Sequence, residues 1–400
     1  MTDLAPQVDV RGLWKVFGDK PERALDPAYS AKSRSEIQDE LGLVVALRDV
    51  SFRVQQGQIF VVMGLSGSGK STLVRSLIRL IEPTRGSVLV DGEDVLSYSP
   101  SELMQFRRQK IAMVFQSYGL LPHRSVLDNV ALGLEIRGID KGTRYRMASD
   151  SIKTVGLDGW EEYRPSEMSG GMQQRVGLAR ALAVNPDMLL MDEPFSGLDP
   201  LIRRELQDEL ISLQTKLNKT IVFITHDLNE ALKVGDRIAI MRDGEIIQEG
   251  SPEDIVAMPS DDYVTEFVQD VSRAKVIQAE AIMQMPAAVV GEGDAPRAAL
   301  DVMDRNKLES AFLVGRGRSL LGVLTRDHAS ALLDDGQGSL EGAAVEPATT
   351  THGDAFIEDI IPMAAQTRHP IAVVSDSGAL LGEIRRGTLL AGMVDREQET

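Results

Sequence analysis

The stretch that decides the fold is Gly64-Leu65-Ser66-Gly67-Ser68-Gly69-Lys70-Ser71-Thr72. It fits the pattern G-x-x-x-x-G-K-[ST], with an apolar strand pattern (59–63) before it and a helical pattern (72–81) after it. Glycines let such a loop curl so that successive N–H groups point at phosphate oxygens, and the helix N-terminus adds its positive dipole end. We expect Lys70 to contact the β- and γ-phosphates of ATP and the Ser71 hydroxyl to bind Mg²⁺. The flanking strand and helix disfavour the alternative, a Gly/Ser-rich turn without a ligand.

Composition narrows the possible classes of protein. The chain has 400 residues, 43% apolar and 26% charged, which is typical of a globular protein with two or three domains. It contains no cysteine, which excludes disulfides, zinc–thiolate sites and cysteine nucleophiles. The formal charge of −17 argues against a protein that coats nucleic acid. No apolar run reaches the roughly 18–20 residues of a membrane-spanning helix, and the stretch Met1 to Pro6 shows no secretory signal.

The first 270 or so residues alternate apolar strand patterns with helical patterns, which predicts an α/β domain with a mostly parallel sheet. The runs at 59–63, 188–191 and 220–224 are unbroken and apolar, as expected of strands buried on both faces. Helical spacing dominates about 100–185 and returns at 251–275. The polar stretch 18–40 reads as an exposed insertion with a short helix from Ser33 to Leu41.

A pair of carboxylates follows the apolar run at 188–191. Asp192 at the end of a strand can bind Mg²⁺ through water, and Glu193 is placed to polarise the attacking water as a general base. A strand that ends in acidic residues is common, so this interpretation depends on the phosphate loop some 120 residues upstream.

The segment Met168-Ser169-Gly170-Gly171-Met172-Gln173-Gln174-Arg175 precedes a helical run from Val176 to Val184. It resembles the LSGGQ signature of the ATP-binding cassette (ABC) family and lies about 20 residues before the Asp-Glu pair, as in that family. Met168 replaces Leu and Met172 replaces Gln. Ser169, Gly170 and Gly171, which the resemblance assigns to the γ-phosphate, are intact. Taken alone, such a segment would read as a capped helix start.

Further residues stand in the order that the family shows. The resemblance assigns Gln116 to the Q-loop that senses Mg²⁺, and Asp199, in Ser196-Gly197-Leu198-Asp199, to the D-loop that crosses the dimer interface. It assigns His226 to the switch that holds the γ-phosphate and the attacking water. Phe17 resembles the aromatic residue that stacks on adenine, and Trp14 is its rival because the insertion at 18–40 blurs the alignment.

The resemblance to the ABC family implies a mechanism and partners. The phosphate loop of one subunit and the signature of another close on ATP and Mg²⁺, so we expect a homodimer with two equivalent sites, bound to the cytoplasmic face of the cell membrane as a peripheral ATPase. A separate permease and an extracytoplasmic substrate-binding protein or domain would complete the transporter. The alternative is a soluble ABC ATPase without a transport function, although its usual marks, zinc-binding cysteines, long coiled coils or a second cassette, are absent.

The whole chain resembles the ATPases for uptake of glycine betaine and proline, the quaternary-amine group. The similarity is strongest in three stretches: Ile59 to Gly86, Lys110 to Gln116 and Met168 to Leu182. The resemblance implies an importer for glycine betaine, proline betaine or related osmolytes. Import of a different small solute is the alternative, because an ATPase subunit never touches the solute.

The last 120 or so residues contain an internal repeat. Ala311-Phe312-Leu313-Val314 leads to a Gly-containing stretch at 320–327, and about 60 residues later Ile371-Ala372-Val373-Val374 leads to a similar stretch at 380–387. The tail resembles the tandem cystathionine-β-synthase-type (CBS) modules that this family carries. The expected fold is α/β: an ABC-type P-loop nucleotide-binding domain (1–270, helical subdomain about 100–185), followed by a tandem CBS (α+β) module (276–337 and 338–400).

Two regulatory hypotheses follow from the CBS resemblance. CBS modules often bind adenosine nucleotides such as cyclic di-AMP, AMP or ATP, with the Asp of a T/S-x-x-D arrangement on the ribose; Thr325 and Asp327 are the candidates in the first module, and the second lacks the carboxylate. The other hypothesis is an ionic-strength sensor in contact with anionic lipid, through Arg316, Arg318, Arg385 and Arg386. A purely structural or dimerising pair of modules, whose arginines pair with neighbouring acids, is the third possibility.

Overall fold

The structure is a computed structural model that describes residues 5–116, 118–269 and 273–393. The chain divides into two compact units, residues 1–269 and 270–400, and each is described by itself. None of the helices in the described part of the chain is both long and apolar enough to cross a membrane.

Two sheets make up the first unit. A six-stranded sheet has the order β10-β9-β3-β8-β7-β6 and is parallel except for the β9–β10 pair, which confirms the predicted mostly parallel core. Every residue of its central strands β3, β7 and β8 is buried, as the unbroken apolar runs predict. The strands of the first unit are β1 (Val8–Phe17), β2 (Val44–Val54), β3 (Ile59–Met63), β4 (Arg85–Val90), β5 (Glu93–Asp94), β6 (Ile111–Val114), β7 (Met188–Asp192), β8 (Thr220–Thr225), β9 (Arg237–Arg242) and β10 (Glu245–Gly250).

The second sheet, of order β2-β1-β4-β5, is antiparallel and was not anticipated from the sequence. Its inner side chains pack onto the large sheet in one apolar core, where the rings of Phe52 on β2 and Phe60 on β3 stack with centroids 4.8 Å apart. The strand β2 therefore lies close to the loop that follows β3.

Several helices of the first unit, α2, α3, α6, α8 and α9, pack on the large sheet. The helix after the phosphate loop begins at Lys70, two residues before the predicted start, because Gly69 takes the left-handed conformation (φ +109°) that ends the loop. It ends at Leu77, since Ile78 leaves helical geometry. The helices are α1 (Arg34–Leu41), α2 (Lys70–Leu77), α3 (Pro100–Gln109), α4 (Val126–Ile136), α5 (Lys141–Thr154), α6 (Gly170–Ala183), α7 (Pro200–Leu217), α8 (Leu228–Val234), α9 (Pro252–Ala257) and α10 (Asp262–Val268).

The stretch at 100–185 holds four helices, α3 to α6, but also the edge strand β6 of the large sheet. The three helices after β6 pack on one another, with α4 against both α5 and α6. The predicted helical exit at 251–275 corresponds to α9, α10 and a 3-10 turn at Arg273–Lys275.

The insertion is an ordered element, which we call the arm (residues 18–43, between β1 and β2). Its helix α1 starts one residue after the predicted Ser33, which is the N-cap: the Ser33 hydroxyl accepts from Glu36 N, and the Glu36 carboxylate accepts from Ser33 N. The arm is more buried than expected, because Ala24, Ile37 and Leu43 form a small apolar cluster with β1 and β2. The arm is therefore anchored rather than a freely exposed loop.

The second unit confirms the internal repeat. Its elements are α11 (Ala279–Ile282), β11 (Val289–Gly291), α12 (Pro296–Asn306), β12 (Ser310–Val314), β13 (Leu320–Thr325), α13 (Arg326–Asp334), β14 (Thr350–His352), α14 (Ile357–Gln366), β15 (Ile371–Val374), β16 (Leu380–Ile384) and α15 (Arg386–Met393). Two three-stranded sheets, β11-β12-β13 and β14-β15-β16, have the same strand directions. They share an apolar cluster of Phe312, Val314, Val323, Ala372, Val374 and Leu380.

Candidate functional site

The phosphate loop connects β3 to α2 and is wedged between backbone segments. A Cβ on Gly64 would lie 2.2 Å from the carbonyl oxygen of Met241, and one on Gly69 would lie 2.4 Å from that of Ala46. Both glycines also have positive φ, so no other residue fits these positions without strain. The amide of Gly244 holds the loop further by donating to Ser68 O (2.9 Å). The loop is thus preformed by its surroundings at the N-terminus of α2.

Lys70 lies inside this loop and is 4% exposed. Its ammonium donates to the carbonyl oxygens of Gly64 (2.7 Å) and Leu65 (3.0 Å). Burial lowers the pKa of Lys70, and the carboxylates of Glu193 and Asp192 oppose that shift. A cation held at this place can bind a phosphate that enters the loop.

Ser71 and Asp192, predicted as metal ligands, are brought together. The Ser71 hydroxyl donates to Asp192 Oδ1 over 2.9 Å, and Arg75 Nη2 lies 3.5 Å from Asp192 Oδ2. Asp192 is the last residue of β7 and is 4% exposed. A hydroxyl beside a buried carboxylate offers the oxygen ligands that Mg²⁺ prefers.

Glu193, His226 and Gln116 meet at the carboxyl ends of three neighbouring parallel strands, β7, β8 and β6. Glu193 Oε2 lies 3.1 Å from His226 Nδ1 and 3.5 Å from Gln116 Nε2. Glu193 has a left-handed backbone (φ +47°), which costs a non-glycine residue about 1–3 kcal/mol, and its amide is held by Ile224 O at 3.0 Å. Such strain at an acidic residue in a polar cluster is typical of a functional position.

Between the two adenine-stacking candidates, the structure favours Phe17. Its ring is 41% exposed, with Lys15 Nζ 4.7 Å from the ring centroid, whereas Trp14 packs against the apolar cluster of the arm. Phe17 pairs with Val44 on β2, two residues from the Ala46 carbonyl that touches the phosphate loop. The exposed ring therefore lies at the side of the loop.

The signature segment lies apart from the phosphate loop in the same chain. Ser169 caps α6, accepting from Met172 N at 3.4 Å, and Asp199 caps α7, accepting from Leu201 N at 2.9 Å. Ser169 and Gly170 are exposed, while Met168 is 7% exposed, so a buried apolar side chain stands where the signature has Leu. Across residues 5–116, 118–269 and 273–393, no hydrogen bond or ion pair joins Ser169, Gly170, Gly171 or Asp199 to residues 64–72.

The sequence analysis did not predict one side-chain contact beside the site, that of Arg203. Arg203 on α7 donates to Asp227, the residue after His226, at 3.1 Å and to the carbonyl of Leu198 at 3.3 Å. The segment at 196–199 and the loop of His226 are therefore tied by one guanidinium. The acidic residue directly after His226 was the signal that could have prompted a search for a basic partner.

In the second unit, the prediction for Thr325 and Asp327 needs correction. Thr325 caps α13, accepting from His328 N at 3.4 Å, but Asp327 comes two residues after Thr325, and His328 occupies the third position that a T-x-x-D arrangement gives to the carboxylate. The Asp327 side chain is exposed. The structure therefore does not support Asp327 as a residue of that arrangement.

The predicted basic surface of four arginines is also smaller than expected. Arg385 Nε donates to the buried Glu383 at 2.6 Å, and Arg386 donates to the carbonyls of Ala364, in the last turn of α14, and of Thr367, directly after that helix. Arg316 and Arg318 stand on an exposed turn between β12 and β13. Two of the four arginines thus serve internal contacts.

The sheet, the preformed phosphate loop and the acidic cluster at the strand ends define a P-loop ATPase. The model of the ABC transporter family matches residues 47–196, and a model for an AAA domain matches residues 161–232. The chain is 48% identical to the glycine betaine/carnitine transport ATP-binding protein GbuA of Listeria monocytogenes over 391 residues. This alignment covers 98% of each chain. It is 48% identical to the trimethylamine N-oxide transport system ATP-binding protein TmoW of Ruegeria pomeroyi, over 84% of this chain and 97% of TmoW.

Among solved structures, the ATP-binding cassette MJ0796, as a dimer in a post-hydrolysis state bound to ADP and Pi, is 31% identical with a TM-score of 0.52. The match covers 61% of this chain and 98% of the cassette. The chain therefore belongs to the ABC transporter family, as an ATP-hydrolysing, ATP-binding subunit of the group that includes GbuA.

Proposed function

We propose that this chain powers an importer of glycine betaine or a related quaternary-amine osmolyte through a separate permease. The observation that carries this proposal is the similarity to GbuA, which extends over 98% of both chains and so spans the arm and the second unit as well as the ATPase core. In this proposal the solute is selected by the permease and an extracytoplasmic substrate-binding protein or domain. The ATPase subunit is peripheral, at the cytoplasmic face of the membrane.

Two copies of the chain would form the working ATPase. Ser169 and Gly170 are exposed and make no described bond to the phosphate loop of their own chain, so they are available to complete the loop of a second copy. The dimeric MJ0796 cassette supports this arrangement. Asp199 would stand at the interface, where its α7 cap and the Arg203 contact fix the backbone around it.

Mg²⁺ is the metal that fits the site. Ser71 and Asp192 would hold it, with Gln116 in the neighbouring loop, and the ion would neutralise negative charge on the phosphates of ATP. In the part of the chain that the structure describes, no group of three or more His, Cys, Asp or Glu residues could hold a metal ion by itself. Binding of the ion would therefore depend on ATP oxygens, as is usual for Mg²⁺ in nucleotide enzymes.

Glu193 and His226, at the carboxyl ends of β7 and β8, supply the chemistry in this proposal. Glu193 accepts a proton from the attacking water, and His226, 3.1 Å away, fixes the position of that carboxylate and reaches the γ-phosphate. Lys70 binds the β- and γ-phosphates from within the loop. Phe17 stacks on adenine with its exposed ring.

We further propose that the second unit is a pair of CBS modules that regulates the ATPase. The repeated β-sheets and their shared apolar cluster support this assignment. An adenine nucleotide such as cyclic di-AMP would bind near Thr325, without the ribose contact first assigned to Asp327. Contact with anionic lipid would rest on Arg316 and Arg318, because Arg385 and Arg386 are engaged internally.

An uptake assay tests the proposal. The chain, its permease and its binding protein would be reconstituted in liposomes, with uptake of labelled glycine betaine measured against a Glu193→Gln blank. Trimethylamine N-oxide is the second candidate solute, because TmoW has the same 48% identity as GbuA, over 84% rather than 98% of this chain. Uptake of trimethylamine N-oxide alone would make that compound the solute in place of glycine betaine. ATP hydrolysis without uptake of either compound would contradict the proposed import of such osmolytes.

A further inference from the structure

The arm contacts the phosphate loop directly. Arg34, the first residue of α1, donates from Nη1 to the carbonyl oxygen of Gly67 at 3.2 Å. The same nitrogen lies 3.7 Å from Asp243 Oδ1, in the turn between β9 and β10. The Arg34 side chain is 24% exposed, so most of it lies between the arm and the loop.

Arg34 is presented by a rigid support. Ile37 on the same helix is fully buried, and the reciprocal bonds between Ser33 and Glu36 fix the start of α1. From the neighbouring strand β2, Arg48 Nη2 donates to Lys32 O at 2.9 Å and ties the arm to the sheet. Because the backbone on both sides is held, the guanidinium meets Gly67 at a defined place.

Gly67 lies at an open point of the phosphate loop. Its φ is +83°, and no heavy atom lies within 4 Å of the place where a Cβ would stand. The peptide group is planar, so a hydrogen bond to the Gly67 oxygen also fixes the direction of the Ser68 N–H. Ser68 N donates to Leu65 O at 3.2 Å and closes the turn of the loop. Arg34 thus adds a second restraint to the peptide that the Ser68–Leu65 bond already holds.

The charge of Arg34 acts in the same direction. A guanidinium at the outer side of the loop adds positive potential there, which favours a polyphosphate and which the neighbouring Asp243 carboxylate offsets in part. The arm starts directly after Phe17, the residue proposed to stack on adenine, and reaches Gly67 at Arg34. It thus connects the adenine side of the site with the phosphate side.

From this geometry we propose that Arg34 is a positioning residue for ATP binding, through which the arm holds the phosphate loop in its nucleotide-binding shape. Arg34 acts through the backbone of Gly67 and takes no part in the chemical step. Loss of the contact should therefore weaken ATP binding more than it slows turnover.

The test compares Arg34→Ala and Arg34→Lys with Arg23→Ala, in the full chain. Arg23 is an exposed residue of the same arm, so its loss removes one positive charge without touching the loop. We expect Arg34→Ala to raise the KM for ATP by about 3- to 10-fold, a loss in line with one hydrogen bond of ordinary strength, with kcat within about twofold. Arg34→Lys should recover part of the affinity, and Arg23→Ala should match the unmodified chain.

Thermal unfolding supplies a second readout. Without nucleotide, Arg34→Ala should keep the Tm of the unmodified chain, while the rise in Tm caused by MgATP should shrink. An unchanged KM and an unchanged MgATP shift in Arg34→Ala would overturn the proposal. A lower Tm with the full MgATP shift would reduce the contact to a purely structural one, and an equal KM rise in Arg23→Ala would assign the effect to overall charge.

Discussion

His226 Nδ1 lies 3.1 Å from Glu193 Oε2, although the two residues follow different strands and are 33 positions apart. The parallel order β8-β7 explains the proximity, since the carboxyl ends of adjacent parallel strands meet at one edge of the sheet. Glu193 has a left-handed backbone, so its carboxylate is positioned both by the contact with His226 and by the strained main chain that carries it. This pair is the centre of the proposed hydrolytic site.

Replacing Glu193 by Gln should lower kcat for ATP hydrolysis by about 10²- to 10⁴-fold, because the general base is lost while the shape is kept. The KM for ATP should change little. Phosphate release under steady-state conditions measures both values. Glu162→Gln, a change at an exposed residue, is the control, and equal loss in both variants would contradict the role of Glu193.

Gly64→Ala should abolish the tight phosphate loop, because the new Cβ would lie 2.2 Å from Met241 O. We expect a loss of stability of about 1–3 kcal/mol and loss of the rise in Tm on addition of MgATP. Gly142→Ala in α5 is the matched control, since its Cβ would make only an ordinary contact of 3.5 Å with Asp140. A Gly64→Ala protein with normal ATP affinity would disprove the close approach.

Arg203→Ala should lower kcat while ATP affinity is retained, because it unties the loop of His226 from the segment at 196–199. We expect a reduction of about 5- to 50-fold, corresponding to one or two lost charge-assisted bonds. The neighbouring Arg204→Ala, at an exposed residue, should be near normal. If both variants hydrolyse ATP at the unmodified rate, the contacts of Arg203 with Asp227 and Leu198 do not contribute to turnover.

Glu230→Gln should stabilise the protein more at pH 8 than at pH 5. Burial raises the pKa of Glu230 above its ordinary value of 4.5, so its contribution to stability is present at low pH and is lost as pH rises through the raised pKa. A neutral Gln has no such dependence and can still accept the Gln207 bond, which is 3.1 Å long. Tm values at the two pH values measure the difference, and an equal shift at both would contradict this assignment.

Local patterns predicted the parts of the site that depend on nearby residues. The loop at 64–72, the strand ending at Asp192 and the short helix at 33–41 each follow from a few consecutive residues, and the structure contains all three, with Ser33 as the N-cap of that helix rather than its first residue. The helix after the loop starts two residues earlier than its apolar pattern predicts, because Gly69 gives no apolar signal and acts only through its left-handed backbone.

Contacts between distant segments were not predictable in the same way. The antiparallel sheet pairs β1 with β4, some 80 residues away, and no local pattern fixes that register. The Arg34–Gly67 and Arg203–Asp227 bonds likewise join segments whose proximity depends on the finished fold. In the second unit, the repeat was visible from apolar residues, but the internal roles of Arg385 and Arg386 depend on tertiary contacts.

The most direct test of the account is the ATPase rate of the chain, reconstituted with its permease and binding protein in liposomes, with and without glycine betaine. We predict stimulation by glycine betaine that disappears in Glu193→Gln. An ATPase rate that is abolished by Glu193→Gln but does not respond to glycine betaine would contradict the proposed transport function while leaving the ATPase site intact.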